Sequence, residues 1–187
     1  DGKILDDTRI RKIIPTIVAP TGIAASHLQG QTIHSYFSLG IRADIDSYYI
    51  ESLLEKKYLQ TRFSKLKVLI VDEISMVSPE MFSSMDRILR AFKKDNSPFG
   101  GIQVVLSGDF FQLPPISKVF KDKRFAWQSP SWKELALKTW YLEQKYRQDD
   151  NVLIGILDEI RSGRVSTNTY DILNSRYHKD LSIDFEP

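Results

Sequence analysis

The run KVLIVDEISMV, Lys67 to Val77, sets two adjacent carboxylates, Asp72 and Glu73, directly after an apolar stretch. A second apolar run, IQVVL, leads into LSGDFFQLPP, which carries Asp109 and Gln112. Paired acids at the end of a buried strand suit magnesium–phosphate chemistry. One carboxylate holds the hydrated Mg2+ and the next polarises an attacking water. Neighbours on an extended chain point to opposite sides, so the pair can divide those roles. A simpler explanation also stands at this point: acids dress a helix N-terminus, where the macrodipole favours them. The neutral amide of Gln112 suits contact with a terminal phosphate, and Pro114 and Pro115 fix the exit of its loop. Phe110 and Phe111 read as exposed aromatics beside a strand end, which calls for a purpose.

Such residues need elements that hold them. IIPTIVAP, Ile13 to Pro20, predicts a strand because β-branched residues dominate it. TGIAASHL predicts a turn running into a short helix. Apolar residues at Tyr49, Ile50, Leu53, Leu54 and Tyr58 predict a helix across DIDSYYIESLLEKKYLQ. SPEMFSSMDRILRAFKK predicts the clearest helix, capped by Ser78, with Pro79 in its first turn. Met81, Phe82, Met85, Ile88, Leu89 and Phe92 form its apolar face, and DNSPFGG ends it. KTWYLEQKYRQ predicts a strand, and NVLIGILDEIRSG an amphipathic helix stopped by Gly163. Strands that read as continuous apolar runs and alternate with helices predict an α/β doubly wound fold, its parallel sheet covered on both faces. Ligands in such sheets bind at the carboxyl ends of the strands. Asp72, Glu73, Asp109 and the Thr21–Gly22 pair all fall there.

The bulk composition is consistent with this. A chain of 187 residues suffices for one well-cored domain. Its 42% hydrophobic and 27% charged content is usual for a globular protein. The absence of cysteine excludes disulfides, thiolate chemistry and Cys-based zinc sites. His27, His34 and His178 are too few and too scattered for a histidine metal site. No apolar run approaches a membrane span, and the polar, charged start has no signal-peptide pattern. Asp1 in place of Met fits a piece of a longer protein. Net charge is only +2, but Lys118 to Arg147 holds eight basic residues against three acidic ones. That segment suits either a nucleic-acid backbone or a plain solvated surface.

Four blocks, TGIAASHLQGQTIHSYF, VLIVDEISMVSPEMFSSMDRILRAF, PFGGIQVVLSGDFFQLPP and LEQKYRQDDNVLIGILDEIRSG, together resemble consecutive motifs of the Pif-family DNA helicases. These are superfamily-one, RecD-like enzymes moving 5′ to 3′ on single-stranded DNA. The resemblance runs from Ile13 to Arg176, and PFGG favours the Pif branch over RecD. It implies a RecA-like P-loop NTPase core, three-layer α/β/α, using ATP and Mg2+. It implies that Asp72 holds Mg2+ through water, Glu73 is the catalytic base, and Gln112 senses the γ-phosphate with Asp109 in the same loop. Arg147 contacts that phosphate as charge develops. Thr21, Gly22, His34 and Ser35 fall on the surface that holds single-stranded DNA, where backbone contacts suit a translocase that does not read sequence. Phe37 suits stacking on a base, although Phe at that spacing is more often core. Roles in DNA repair, recombination or telomere maintenance follow from the resemblance. So does an intracellular place: nucleus or mitochondrion in a eukaryote, cytoplasm in a bacterium.

The sequence departs from the family in one respect. No Gly-rich loop ending in Gly-Lys-Ser or Gly-Lys-Thr is present, and Gly2-Lys3 is followed by Ile4. Residues 1–176 are therefore expected to form an incomplete first RecA-like domain. Residues 177–187 are expected to start the linker to a second one, and the chain alone is expected to hydrolyse ATP poorly. Two alternatives remain open: a helicase remnant serving as a DNA-binding or protein-binding module, and a Mg-dependent nuclease built on Asp109, Glu143 and Lys145.

Overall fold

Four short strands, β1 (Thr16–Ala19), β2 (Gln31–Thr32), β3 (Val68–Val71) and β4 (Gln103–Leu106), pair in the order β2-β1-β3-β4. Every pairing is parallel. The coordinates are a computed structural model describing residues 13–40, 42, 45–116, 124–142 and 150–177. Contacts divide the chain into two units, Asp1–Lys138 and Thr139–Pro187. The sheet lies in the first.

Parallel strands need crossovers, and helices supply them. α1 (Gly22–His27) joins β1 to β2; α2 (Ile33–Phe37), α3 (Ser47–Leu54) and α4 (Lys57–Lys65) join β2 to β3; α5 (Pro79–Lys93) joins β3 to β4. α6 (Pro130–Glu134) follows β4. The register sets Val18 beside Val71 and Val71 beside Leu106. The strands therefore finish level, and whatever follows each is delivered to one edge. This is the parallel α/β arrangement that the apolar runs predict.

The core forms where α2 to α5 meet one face of the sheet. Phe37, Phe63, Phe82 and Phe99 are wholly buried, with Leu69, Val71, Met85 and Ile88 among them. Each such side chain contributes roughly 2–3 kcal/mol by leaving water. α5 buries the predicted face, Met81, Phe82, Met85, Ile88 and Leu89, and Ser78 Oγ accepts its Met81 N–H at 3.2 Å. It also buries Asp86, which no apolar pattern announces. Asp86 accepts from Phe99 N–H at 2.6 Å, Arg90 Nε at 2.8 Å and Ser131 Oγ at 2.7 Å. That carboxylate ties α5 to the Pro98–Gly101 turn and to α6.

Three expectations change in detail. The helix predicted across 44–60 is two helices over its described part, because Lys56 is extended (φ −79°, ψ 102°). In one continuous helix Leu53 and Leu59 would stand about 120° apart; the break lets both reach the core with Phe63. Burial along β3 and β4 alternates. Leu69, Val71, Val104 and Leu106 face the core cluster, while Val105 is 40% exposed on the other side. Thr139–Leu142, the described start of the strand predicted from KTWYLEQKYRQ, is irregular, with Trp140 and Leu142 exposed. It pairs with no strand among the described residues, and β-propensity without a ladder does not make a strand.

The second unit holds α7 (Asn151–Ser162) and α8 (Thr167–Arg176). Gly163 stops α7 in the left-handed conformation, as its sequence predicts. Glu159 on α7 accepts from Ser166 N–H at 2.7 Å, and Ser166 in turn caps α8. No helix among the described residues is long and apolar enough to cross a membrane.

Candidate functional site

Backbone hydrogen bonds lace three strand ends together. Asp72 N–H donates to Val18 O, Ser107 N–H to Val71 O, and Ile74 N–H to Ser107 O, each at 2.9 Å. Asp72 and Glu73 thus leave β3 half-buried at the rim of the sheet. Glu73 does not continue the strand as an extended neighbour would. It sits at φ +51°, ψ 46°, and a short turn, Ile74–Met76, begins behind it. Left-handed backbone is uncommon for glutamate and marks a position that its surroundings enforce. α5 begins only at Pro79, so its dipole is too far along the chain to account for the two acids.

Gly108 is the reason the neighbouring loop fits so closely. Its φ is +155°, and a Cβ there would lie 2.9 Å from Ile74 N. Beyond it, Asp109 organises its own loop. One carboxylate oxygen accepts from Phe111 N–H at 3.0 Å and the other from Gln112 Nε2 at 3.1 Å, while Gln112 N–H donates to Asp109 O at 3.0 Å. Gln112 itself is exposed. The two aromatics part company. Phe111 is 74% exposed, but Phe110 turns inward, its ring 4.3 Å from Trp127, 5.7 Å from Phe125 and 6.1 Å from Trp132. The expectation that both stand in solvent is corrected for Phe110, because this cluster gives its ring apolar partners.

The other half of the edge carries the nucleic-acid candidates. Thr21 caps α1, its Oγ1 accepting from Ala24 N–H at 3.3 Å. Gly22 has nothing within 4 Å of where a Cβ would stand, so neither packing nor a positive φ demands glycine there. His34 and Ser35 lie on α2, whose Thr32 cap accepts from Ser35 N–H at 3.2 Å. The register Ala19↔Thr32 puts Thr21 and the start of α2 at the ends of adjacent strands. Arg62, which the sequence did not single out, donates to Tyr36 O at 2.5 Å and lies 5.1 Å over the Tyr36 ring. Burial pushes the Tyr36 phenol above its ordinary value, against smaller lowering effects of Thr16 and Arg62. Phe37 is wholly buried, its ring 5.6 Å from that of Phe63, and belongs to the core.

One sheet edge therefore gathers Asp72, Glu73, Asp109 and Gln112 over β3 and β4, and Thr21, Gly22, His34 and Ser35 over β1 and β2. Arg147, Glu143, Lys145, His178 and Gly2-Lys3 lie outside the described residues. Among the described residues, no cluster of three or more His, Asp or Glu is disposed to hold an ion. A half-buried carboxylate at a strand end suits Mg2+, which keeps several waters and takes other ligands from phosphate. The sequence also gave no sign of Ser75, in the turn after Glu73. It is fully buried, and its hydroxyl has no hydrogen-bond partner.

A family model for PIF1-like helicases matches residues 2–169. The ATP-dependent DNA helicase Pif1 of Psychrobacter sp. (strain PRwf-1) is 35% identical over 186 residues, covering 94% of this chain and 28% of that protein. The ATP-dependent DNA helicase RRM3 of Saccharomyces cerevisiae is 39% identical over 173 residues, covering 90% and 23%. Among solved structures, the Pif1 helicase from Bacteroides in complex with ADP-AlF3 and ssDNA superposes with a TM-score of 0.75 at 32% identity, covering 92% of this chain and 42% of that one. The fold is thus the RecA-like α/β core that the four blocks imply. The chain spans 28% and 23% of the lengths of the two relatives described.

Proposed function

The chain belongs to the PIF1-like helicase family, and from that premise we propose that it is most of the first RecA-like domain of an ATP-dependent DNA helicase. On this reading residues 1–176 are that domain and 177–187 open the linker to a second. The whole protein translocates 5′ to 3′ on single-stranded DNA and unwinds duplex ahead of it, in repair, recombination or telomere maintenance. A single observation carries the reading: one sheet edge presents the phosphate-chemistry candidates on β3 and β4 beside the DNA candidates on β1 and β2. A motor needs that adjacency, since nucleotide turnover must move the strand it holds.

The roles divide as follows. Mg2+, when bound, would supply positive charge to offset that of the ATP phosphates. Asp72 would hold the hydrated ion. Glu73, set by its left-handed backbone, takes a proton from the attacking water. Asp109 fixes the Gln112 amide, which reports the presence of the γ-phosphate. Arg147 stabilises charge developing there. Thr21, Gly22, His34 and Ser35 bind the DNA backbone without reading bases. The Pif1 helicase from Bacteroides, solved with ADP-AlF3 and ssDNA, supports both ligands as a pair. Hydrolysis in such a motor also draws on a phosphate loop and a second domain, so ATP turnover is read on the full-length protein.

The test uses the full-length protein. ATP turnover should rise on adding single-stranded DNA, and forked substrates with a 5′ tail should unwind in preference to those with a 3′ tail. Glu73→Gln should abolish both activities. DNA binding that ignores ATP and Mg2+, without turnover, would replace the motor with a binding module.

A further inference from the structure

Ser75 Oγ is the one buried side-chain polar atom without a hydrogen-bond partner among the described residues. Nearly all such atoms in folded proteins are satisfied, and an orphaned one lowers stability. The turn does not need this hydroxyl. Its bonds are made by the backbone: Ile74 N–H to Ser107 O at 2.9 Å, Met76 N–H to Glu73 O at 3.0 Å and Val77 N–H to Ile74 O at 3.1 Å. Other serines of the fold are placed otherwise. Ser83 Oγ meets Ser129 Oγ at 2.8 Å, and Ser131 Oγ donates to Asp86 at 2.7 Å. An alanine would make the same turn and remove the penalty. The residue stands two positions after Glu73, on the segment that the Ser107 and Gly108 backbone clasps.

We propose that Ser75 is a positioning residue for nucleotide hydrolysis: its hydroxyl donates to an anionic oxygen of the assembled Mg2+–nucleotide site and so fixes the turn that aims Glu73. The proposal rests on the nucleotide-site reading above. A hydroxyl with one partner only in the loaded site shifts the turn toward the geometry in which that partner is present, since a ligand biases a protein by its differential contacts. It therefore acts with opposite sign on the free and the loaded protein, which separates it from an ordinary structural serine.

The test is Ser75→Ala in the full-length protein, read three ways. Without nucleotide, Tm should hold or rise by about 2–4 °C. The further rise in Tm on adding Mg2+, ADP and aluminium fluoride should shrink to about half the wild-type shift or less. Under saturating single-stranded DNA, kcat should fall about tenfold while KM for ATP stays within about twofold. An unchanged nucleotide-induced shift with unchanged kcat overturns the proposal. So does a variant that melts lower without nucleotide or fails to fold, because the hydroxyl then serves the fold. Wild-type protein showing neither a nucleotide-induced shift nor turnover sinks the underlying nucleotide-site reading, and this proposal with it.

Discussion

Glu73 and Gly108 show how much of the site is decided by backbone. Glu73 leaves the strand through a left-handed residue, and Gly108 lets the adjoining loop close on Ile74 N. Glu73→Gln keeps that geometry and removes the base, so DNA-stimulated ATP turnover in the full-length protein should drop by about 10²–10⁴ with Tm nearly unchanged. Gly108→Ala should instead cost about 1–3 kcal/mol of stability in denaturant titration, because a Cβ at that φ meets Ile74. The types of Asp72, Glu73, Asp109 and Gln112 were legible in the sequence, since apolar runs placed them at strand ends. The left-handed turn at Glu73 was not, because nothing in the letters DEI marks a positive φ. Phe110 was misjudged for a related reason. Two adjacent Phe look alike in sequence, and only the Phe125–Trp127–Trp132 cluster decides which turns inward.

Element by element, periodicity served best where one helix buries one continuous face. α5 matched because its cap, first-turn proline and apolar stripe all agree. The α3–α4 region defeated the same logic, since its apolar residues serve two axes joined at an extended Lys56. Asp86 on α5 was invisible because its partners Phe99, Arg90 and Ser131 come from three places in the chain. Asp86→Ala removes all three bonds at once and should destabilise by about 3–5 kcal/mol, read as a lower midpoint in urea. In the second unit the Glu159 carboxylate is held below its usual 4.5, chiefly by Ser166 N–H, then by the Thr169 and Ser166 hydroxyls. A depressed acid stabilises above its unfolded value and loses that support as pH falls through its folded one. Amide exchange at Ser166 and Thr169, corrected for intrinsic rate, should therefore quicken below about pH 4.5, and Glu159→Gln should flatten that dependence.

At the scale of the molecule, the parallel order β2-β1-β3-β4 puts two sets of candidate residues on one edge without mixing them. Binding of single-stranded DNA to the full-length protein rests on backbone phosphates in this reading. Its affinity should fall at least about tenfold between 50 and 200 mM salt, with little difference between base compositions; equal affinity at both salts would contradict it. The parallel α/β class was legible from apolar runs alternating with helices. The half-open face beside Val105 was not, because a continuous apolar run does not say which of its faces is covered. The aromatic cluster has a practical consequence. Trp127 lies 4.3 Å from Phe110, and Phe110 stands between Asp109, which holds the Gln112 amide, and Phe111. An indole with 38% of its surface in water changes emission when a neighbouring ring shifts. Any displacement of the Gln112 loop is thereby written into native fluorescence, and a stopped-flow instrument can time it with no label attached.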